Sequence, residues 1–205
     1  FSVIDQNKLI KSPLKRIQMN YGALAIGEKV LFNNAHKGLF LFESPTSYTK
    51  VNDTIVSHFN FLSAEEILYT DVEDYGLAYK PLAQLEQRKV PWKSIGKQQG
   101  LILNHCQGIA QDNKGYIWTI SMQGIARYAP KADCAQTLLY DKEQSPIRGY
   151  TLLADSNGTL WFGNETGQLY YHYPTDREQV DIVDFHLLEH PLLLGNDRPI
   201  VFLHQ

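Results

Sequence analysis

The chain has 205 residues, 43% of them hydrophobic, which is enough for a sizeable core and fits one domain on length. A formal net charge of -3 gives no electrostatic case for nucleic-acid binding, and no apolar run approaches the ~20 residues of a membrane-crossing helix, so this segment reads as not membrane-inserted. No G-x-S-x-G, phosphate loop, C-x-x-C or dinucleotide fingerprint occurs, and no secretory leader pattern precedes Phe1, which reads as the start of a mature or excised segment.

In chain order, "FSVIDQNKLI" is strand-like and belongs to no complete copy of the pattern that follows. That pattern begins in "IGEKVLFNNAHKGLFLFESP", where Leu31 is followed by Gly38 and Pro45. "SAEEILYTDVEDYGLAYKP" sets Leu68, Gly76 and Pro81 in the same order, and "PLAQLEQRKVPW" supports one short helical turn ahead of Pro91. The pattern becomes sharp in "DNKGYIWTISMQGIARYAP", with Asp112, Trp118, Gly124 and Pro130 each 6 residues apart. "DSNGTLWFGNETGQLYYHYP" repeats it, with Asp155, Trp161 and Gly167 again 6 apart and Pro174 closing the unit 7 later. Positions 31, 68, 118 and 161 are therefore equivalent, at separations of 37, 50 and 43 residues. That spacing suits a four-stranded unit of roughly 40 to 50 residues, as in propeller blades.

Within the third copy the residues predict an inner strand at Gly108–Gln111, a turn at Asp112–Gly115, strands at Tyr116–Ser121 and Gly124–Tyr128, and an outer strand at Gln136–Tyr140. Asn157-Gly158 is a strong hairpin signal, since both residues tolerate positive φ. Ala23, Ala25, Gly108, Ala110 and Ala154 give the inner strands small side chains, suited to crowding around an axis. The second strands are nearly continuous apolar runs, as when both faces are sandwiched. "GNDRPIVFLHQ" reads as the lead-in to another inner strand. The expected fold is all-β: a β-propeller of four-stranded antiparallel blades, about four of them, near residues 20-55, 56-95, 105-142 and 147-186. Partial blades are expected at both ends, the last at 195-205, in a single propeller domain or a fragment of a larger ring.

Asp112, Gly115, Ile117, Trp118, Gly124, Ile125, Tyr128 and Pro130 together resemble the two-component regulator propeller repeat. Asp155, Gly158, Leu160, Trp161, Gly163, Gly167, Tyr170 and Pro174 resemble it equally. The resemblance is specific over residues 105–174 and weak over 22–82, where the tryptophan is missing. It implies the periplasmic sensor region of an inner-membrane hybrid histidine kinase or diguanylate cyclase, binding a soluble small-molecule or saccharide ligand. Ligand occupancy would bias an attached output domain in a phosphorelay or cyclase, and the full-length receptor can homodimerise. It implies structural motif residues, no catalysis in this segment and no cofactor. Streptogramin lyase-like propellers, which are enzymes, use a related glycine and tryptophan pattern. A protein-interaction scaffold is the third reading.

Other constellations weigh less. His186-Leu187-Leu188-Glu189-His190 matches H-x-x-E-H formally, but that chemistry needs a helix, and Pro191 and a β-rich lead-in predict a strand running into a loop. Trp118 and Trp161 stand where inter-blade packing is expected, whereas Trp92 lies outside the repeat and is freer to bind. Glu65, Glu66, Asp71, Glu73 and Asp74 read as turn solvation rather than a glycosidase pair. Cys106 and Cys134 are expected on opposite sides of a blade and unbonded. The ligand-binding candidates are loop residues expected on one face. Asn104, His105, Arg148, Asp197 and Arg198 come from loops between blades, and His36, Lys37, Gln123 and Asn164 from turns between second and third strands. Their cationic excess favours a polar or anionic ligand such as an acidic sugar.

Overall fold

The computed structural model describes residues 2–5, 8–11, 23–34, 37–53, 56–61, 66–71, 76–103, 105–140, 146–173 and 186–187. Strands β1 (Ser2–Asp5) and β2 (Lys8–Lys11) pair as an antiparallel hairpin. Four four-stranded sheets follow. The first holds β3 (Ala23–Ile26), β4 (Lys29–Asn34), β5 (Gly38–Ser44) and β6 (Ser47–Asn52). The second holds β7 (Val56–Phe61), β8 (Glu66–Asp71), β9 (Leu77–Pro81) and β10 (Lys93–Ile95). The third holds β11 (Gly108–Gln111), β12 (Ile117–Ser121), β13 (Gly124–Ala129) and β14 (Cys134–Leu138). The fourth holds β15 (Thr151–Ala154), β16 (Leu160–Gly163), β17 (Leu169–His172) and β18 (His186–Leu187). In every one, strands adjacent in sequence are adjacent in space, and Leu31, Leu68, Trp118 and Trp161 all fall on the second strand. The fold is all-β, built from β-propeller blades, as the repeat predicts.

The repeated glycine has a physical reason that the sequence alone did not disclose. Gly38, Gly76 and Gly124 lie at or next to the start of the third strand, where the end of the outer strand crosses close by. A methyl group there would run into the carbonyl oxygen of Asn52, Ile95 or Leu138 respectively. Gly167 differs: the β16–β17 hairpin is longer, and this glycine turns the chain at φ 82 instead. Backbone of this kind admits glycine at little cost.

The chain divides into two compact units, residues 1–72 with 78–93, and residues 73–77 with 94–205. In the first unit the β4–β5 hairpin is apolar on both faces. Leu31, Leu39, Leu41 and Val51 pack with Ala78 and Leu85, while Phe32, Phe40 and Phe42 cluster on the opposite side. Phe32 and Phe42 meet edge-on at 6.1 Å between centroids, a favoured aromatic geometry. The short 3-10 turn Leu82–Gln84 lies where one was expected. Lys80, only 1% exposed, fastens the segment after it: Nζ donates to the carbonyls of Gln87 and Val90 at 2.8 Å and sits 5.6 Å from the Trp92 ring centroid. Burial pushes the Lys80 pKa down. Exposed ion pairs join the same segment to the first sheet, Lys29 reaching Glu43 and Glu86, and Asp53 reaching Lys50 and Arg88. Pairs this solvated contribute little each.

In the second unit the third and fourth sheets share one core. Ala110, Trp118, Ile120 and Ile125 pack with Ile147, Leu152, Leu160 and Phe162. Gly108 is small because a methyl there would come within 2.9 Å of the Leu152 backbone nitrogen and of Ile120. The crowding argument fails for the first sheet, where Ala23 and Ala25 are exposed and the alternate residues Leu24 and Ile26 pack inward. Strand ends also differ from expectation. Tyr116 stays in the turn, its N–H taken by Asp112, so β12 starts at Ile117. The outer strand begins at Cys134 rather than Gln136, because the turn ahead of it is tight and Asp133 takes φ 47. Cys134 therefore belongs to the strand, not to the connection before it. Cys106 is buried and Cys134 exposed, and the two are not joined by a disulfide, as expected. Desolvation pushes the Cys106 thiol up to about 11.

Candidate functional site

What the motif residues do decides which side chains remain for chemistry. Asp112 opens the β11–β12 turn and accepts three hydrogen bonds. Oδ1 takes the N–H groups of Lys114 and Tyr116, each at 3.0 Å, and Oδ2 takes Nε1 of Trp118 at 2.8 Å. Asp155 repeats this with the N–H groups of Asn157 at 2.9 Å and Thr159 at 3.0 Å, and with Nε1 of Trp161 at 3.0 Å. The spacing of six is thus a mechanical requirement. One carboxylate shapes the turn with one oxygen and orients the indole of the following strand with the other. The Trp161 indole holds the Asp155 carboxyl below its ordinary range against the opposing effect of burial, and the backbone N–H groups of Thr159 and Asn157 add to the lowering. These residues are consumed in folding.

The two tryptophans are not equivalent in their surroundings. Trp118 is 3% exposed, with the His172 ring 5.9 Å away and the guanidinium of Arg127 at 5.8 Å. Arg127 also stacks on Tyr116 at 4.2 Å, a cation–π arrangement. Trp161 is only half-buried and packs on its cross-strand neighbour Tyr171 at 5.5 Å, so the expectation of a sealed inter-blade site holds for Trp118 and not for Trp161. Around Trp118, the cleft bounded by Lys114, Tyr116, Arg127, Gly158 and His172 measures about 10 Å³, room for one water.

Variable groups gather at the opposite end of these strands. In an antiparallel meander the β12–β13 turn, the β16–β17 turn and the lead-ins to β11 and β15 emerge together. Backbone bonds tie them: Gln107 N to Ile120 O at 2.8 Å, Gly149 N to Ser121 O at 3.2 Å, and Tyr150 N to Gly163 O at 3.4 Å. His105 is exposed in the lead-in to β11 with φ 48. Gln123 is exposed at the β12–β13 turn, its N–H on Ser121 Oγ at 3.0 Å. Arg148 Nη1 reaches Glu165 Oε1 at 3.2 Å, joining a lead-in to a turn. Asn164 closes its own turn: Oδ1 accepts from Thr166 N at 3.0 Å and Gln168 N at 2.8 Å, and Nδ2 donates to Gln168 Oε1 at 2.8 Å. The structure therefore brings Gln123, Arg148 and Asn164 to one end of the second unit, with His105 in a neighbouring lead-in. Lys37 lies exposed in the β4–β5 turn of the first unit. Asn104, His36, Asp197 and Arg198 lie outside the described residues.

Glu165 was not singled out in the sequence, and no local pattern marks it. Its carboxylate offsets Arg148, which weakens the cationic excess read from the loop composition. The remaining chemical lures resolve simply. His186 and Leu187 form strand β18, not a helix, while Glu189 and His190 lie outside the described residues. Among the described residues no group of three or more His, Cys, Asp or Glu side chains is placed to hold a metal ion. Glu66 and Asp71 are the first and last residues of β8. Glu65, Glu73 and Asp74 lie outside the described residues. Trp92 is half-buried against the first unit's core rather than presented to solvent. Among the described residues no helix is long and apolar enough to cross a membrane.

No protein-family model matches the chain, and no curated protein matches it. Solved structures do. One, described as the extracellular domain of a hybrid two-component system, BT4673 of B. thetaiotaomicron, aligns with a TM-score of 0.60 at 13% identity, over 84% of this chain and 21% of that one. A protein of unknown function from Bacteroides thetaiotaomicron VPI-5482 aligns with a TM-score of 0.57 at 13% identity, over 78% of this chain and 42% of that one. The WD40 β-propeller domain of Doa1 aligns with a TM-score of 0.58 at 11% identity, over 78% of this chain and 52% of that one. This chain spans between a fifth and about half of the length of these neighbours. At such identities the likeness speaks to the fold, and the fold is that of a β-propeller.

Proposed function

We propose that this chain is an extracytoplasmic sensing module of the two-component regulator propeller type, which binds a soluble polar or anionic ligand and passes its occupancy to an output domain. The observation that carries the reading is the division of labour in the repeat. Asp112, Trp118, Asp155 and Trp161 are spent on folding, as are the repeated glycines. The loops at the far end differ between copies and present exposed side chains such as His105, Gln123 and Arg148, and a rigid scaffold commonly places recognition in such loops. Likeness to an extracellular domain of a hybrid two-component system supports the sensor class. The periplasm is the compartment that follows, and a kinase or cyclase the output. The ligand contacts are Gln123 and Arg148, with His105 beside them. Binding acts by population shift, favouring one arrangement of the receptor over another. The test begins with a thermal-shift screen of acidic sugars, followed by calorimetric titration of wild type and Arg148→Ala with whatever uronate stabilises the chain. A loss of affinity of ~10-fold or more is expected, the worth of one charge-assisted contact. Equal affinity in the variant would rule out Arg148 as a contact.

A further inference from the structure

Lys114, Arg127 and His172 converge on the cleft beside Trp118, and none of them belongs to the repeated motif. Lys114 comes from the β11–β12 turn and Arg127 from β13, while His172 comes from β17 of the fourth sheet. Their counterparts in the other copy carry no cation. Lys114, two residues after Asp112, corresponds to Asn157, two residues after Asp155. Arg127, opposite Trp118, corresponds to Tyr171, opposite Trp161. His172, opposite Leu160, corresponds to Tyr128, opposite Ile117. Turn, indole bond and strand pairing form in both sheets, so the fold does not itself call for basic groups at these positions.

The geometry concentrates positive charge where water is scarce. Ala110, Trp118, Arg127 and Gln136 lie side by side in one cross-strand row. The Arg127 guanidinium sits 4.2 Å from the Tyr116 ring centroid and 5.8 Å from that of Trp118. Those rings hold its charge and take none of its five N–H donors. Burial pushes the Arg127 pKa down, against the favouring charges of Tyr116, Asp112 and Cys134, so a neighbouring anion would be stabilising there. Among the described residues the acidic side chain at the cleft is Asp112, and it already accepts from Lys114 N, Tyr116 N and Trp118 Nε1. Two full cations therefore face one carboxylate. His172, its ring 5.9 Å from Trp118, carries a ring N–H in either tautomer.

We propose that this cleft binds a single halide ion, chloride under physiological conditions, between Arg127, Lys114 and His172. Size selects the ligand: about 10 Å³ admits one atom, and buried Trp118 and Leu160 close the inner wall. A sugar acid or sulfate fits no more than one of its oxygens, whereas a halide places its whole charge inside. The exposed Lys114 side chain can move to admit an ion somewhat larger than water. Aromatic ring edges, which are electropositive, suit a soft anion as well. Bound there, the ion bridges the first turn of the third sheet to the third strand of the fourth. This site is separate from the loops around Arg148 and stands whether or not those loops bind a ligand.

The test melts the full chain at constant ionic strength while chloride replaces methanesulfonate. The Tm should rise saturably with chloride, by roughly 3–6 °C at about ten times the Kd. Chlorine nuclear magnetic resonance should show line broadening by the protein that bromide reverses. Arg127→Gln should weaken chloride binding ~10-fold or more, as loss of a charge-assisted contact does. Lys114→Gln, at an exposed turn position where folding is not at stake, should weaken it ~2–5-fold. Arg148→Ala should leave both the Tm rise and the broadening unchanged. Equal melting in the two salts would overturn the proposal, since screening alone acts without regard to the anion. Broadening that survives both Arg127→Gln and Lys114→Gln would overturn it too, as would a chloride effect lost in Arg148→Ala.

Discussion

Substituting Asp112 with Asn separates the two tasks of the motif carboxylate. The single oxygen of Asn can still accept the N–H groups of Lys114 and Tyr116, at the 3.0 Å that Oδ1 of Asp112 provides. Its amino group then faces Nε1 of Trp118, which lies 2.8 Å from Oδ2 in the native side chain, so donor meets donor. Trp118 is 3% exposed, and its N–H has little water to turn to. A buried donor left unmade costs ~1–3 kcal/mol. Asp112→Asn should therefore destabilise by ~1–3 kcal/mol, and Asp112→Ala by roughly 1 kcal/mol more, because the turn bonds go as well. Urea unfolding followed by far-UV circular dichroism measures both, with the midpoint falling and the slope unchanged. The decisive comparison is a double-mutant cycle with Trp118→Phe, which removes the indole donor. In that background Asp112→Asn should cost little, giving a coupling of ~1–2 kcal/mol. A coupling near zero would refute the claim that the aspartate is present for the indole.

Three further outcomes follow from the same geometry. Trp118→Ala should cost ~3–5 kcal/mol because it empties a sealed site, and Trp161→Ala distinctly less, because that indole is half-exposed; equal losses in denaturant titrations would contradict the burial difference. Gly124→Ala should destabilise by ~1–3 kcal/mol or more, since the new methyl meets the Leu138 carbonyl, whereas a methyl at Gly115 meets nothing closer than 3.9 Å and Gly115→Ala pays ~1–2 kcal/mol for its φ of 82; thermal unfolding ranks them. Asp155 is held below the ordinary carboxylate range by the Trp161 indole, so the stability it contributes is complete above that range and is lost as pH falls through its folded value. Asp155→Asn should then flatten the fall in urea midpoint below pH ~4, and parallel wild-type and variant curves would count against this.

The fold was legible because the pattern that carries it is local and repeated. Asp112, Trp118 and Gly124 recur as Asp155, Trp161 and Gly167, and the second strand of each sheet is an apolar run. The reasons behind the pattern were not legible. Trp118 read as packing alone, since a carboxylate six residues earlier signals an indole bond only once the turn between them is known to be tight. Gly124 read only as a repeated glycine opening a strand, since its conflict with the Leu138 carbonyl depends on where the outer strand crosses. The inner-strand argument worked for Gly108, enclosed by the next sheet, and failed for Ala23 and Ala25, which are exposed. The candidate site was legible as loops but not as pairs. Arg148 faces Glu165 across 17 positions of sequence, and no periodicity links two loops. Asn164 read as an available amide and is occupied closing its own turn.

The proposed function puts ligand recognition at the end of the strands opposite the Asp112 and Asp155 turns. Nuclear magnetic resonance of the isotopically labelled chain, titrated with a uronic acid that raises its Tm, tests this directly. The account predicts shift changes at the backbone amides of His105, Gln123, Arg148 and Glu165, with the turns at Asp112–Gly115 and Asp155–Gly158 unmoved. Changes concentrated at those two turns, with Gln123 and Arg148 silent, would contradict it.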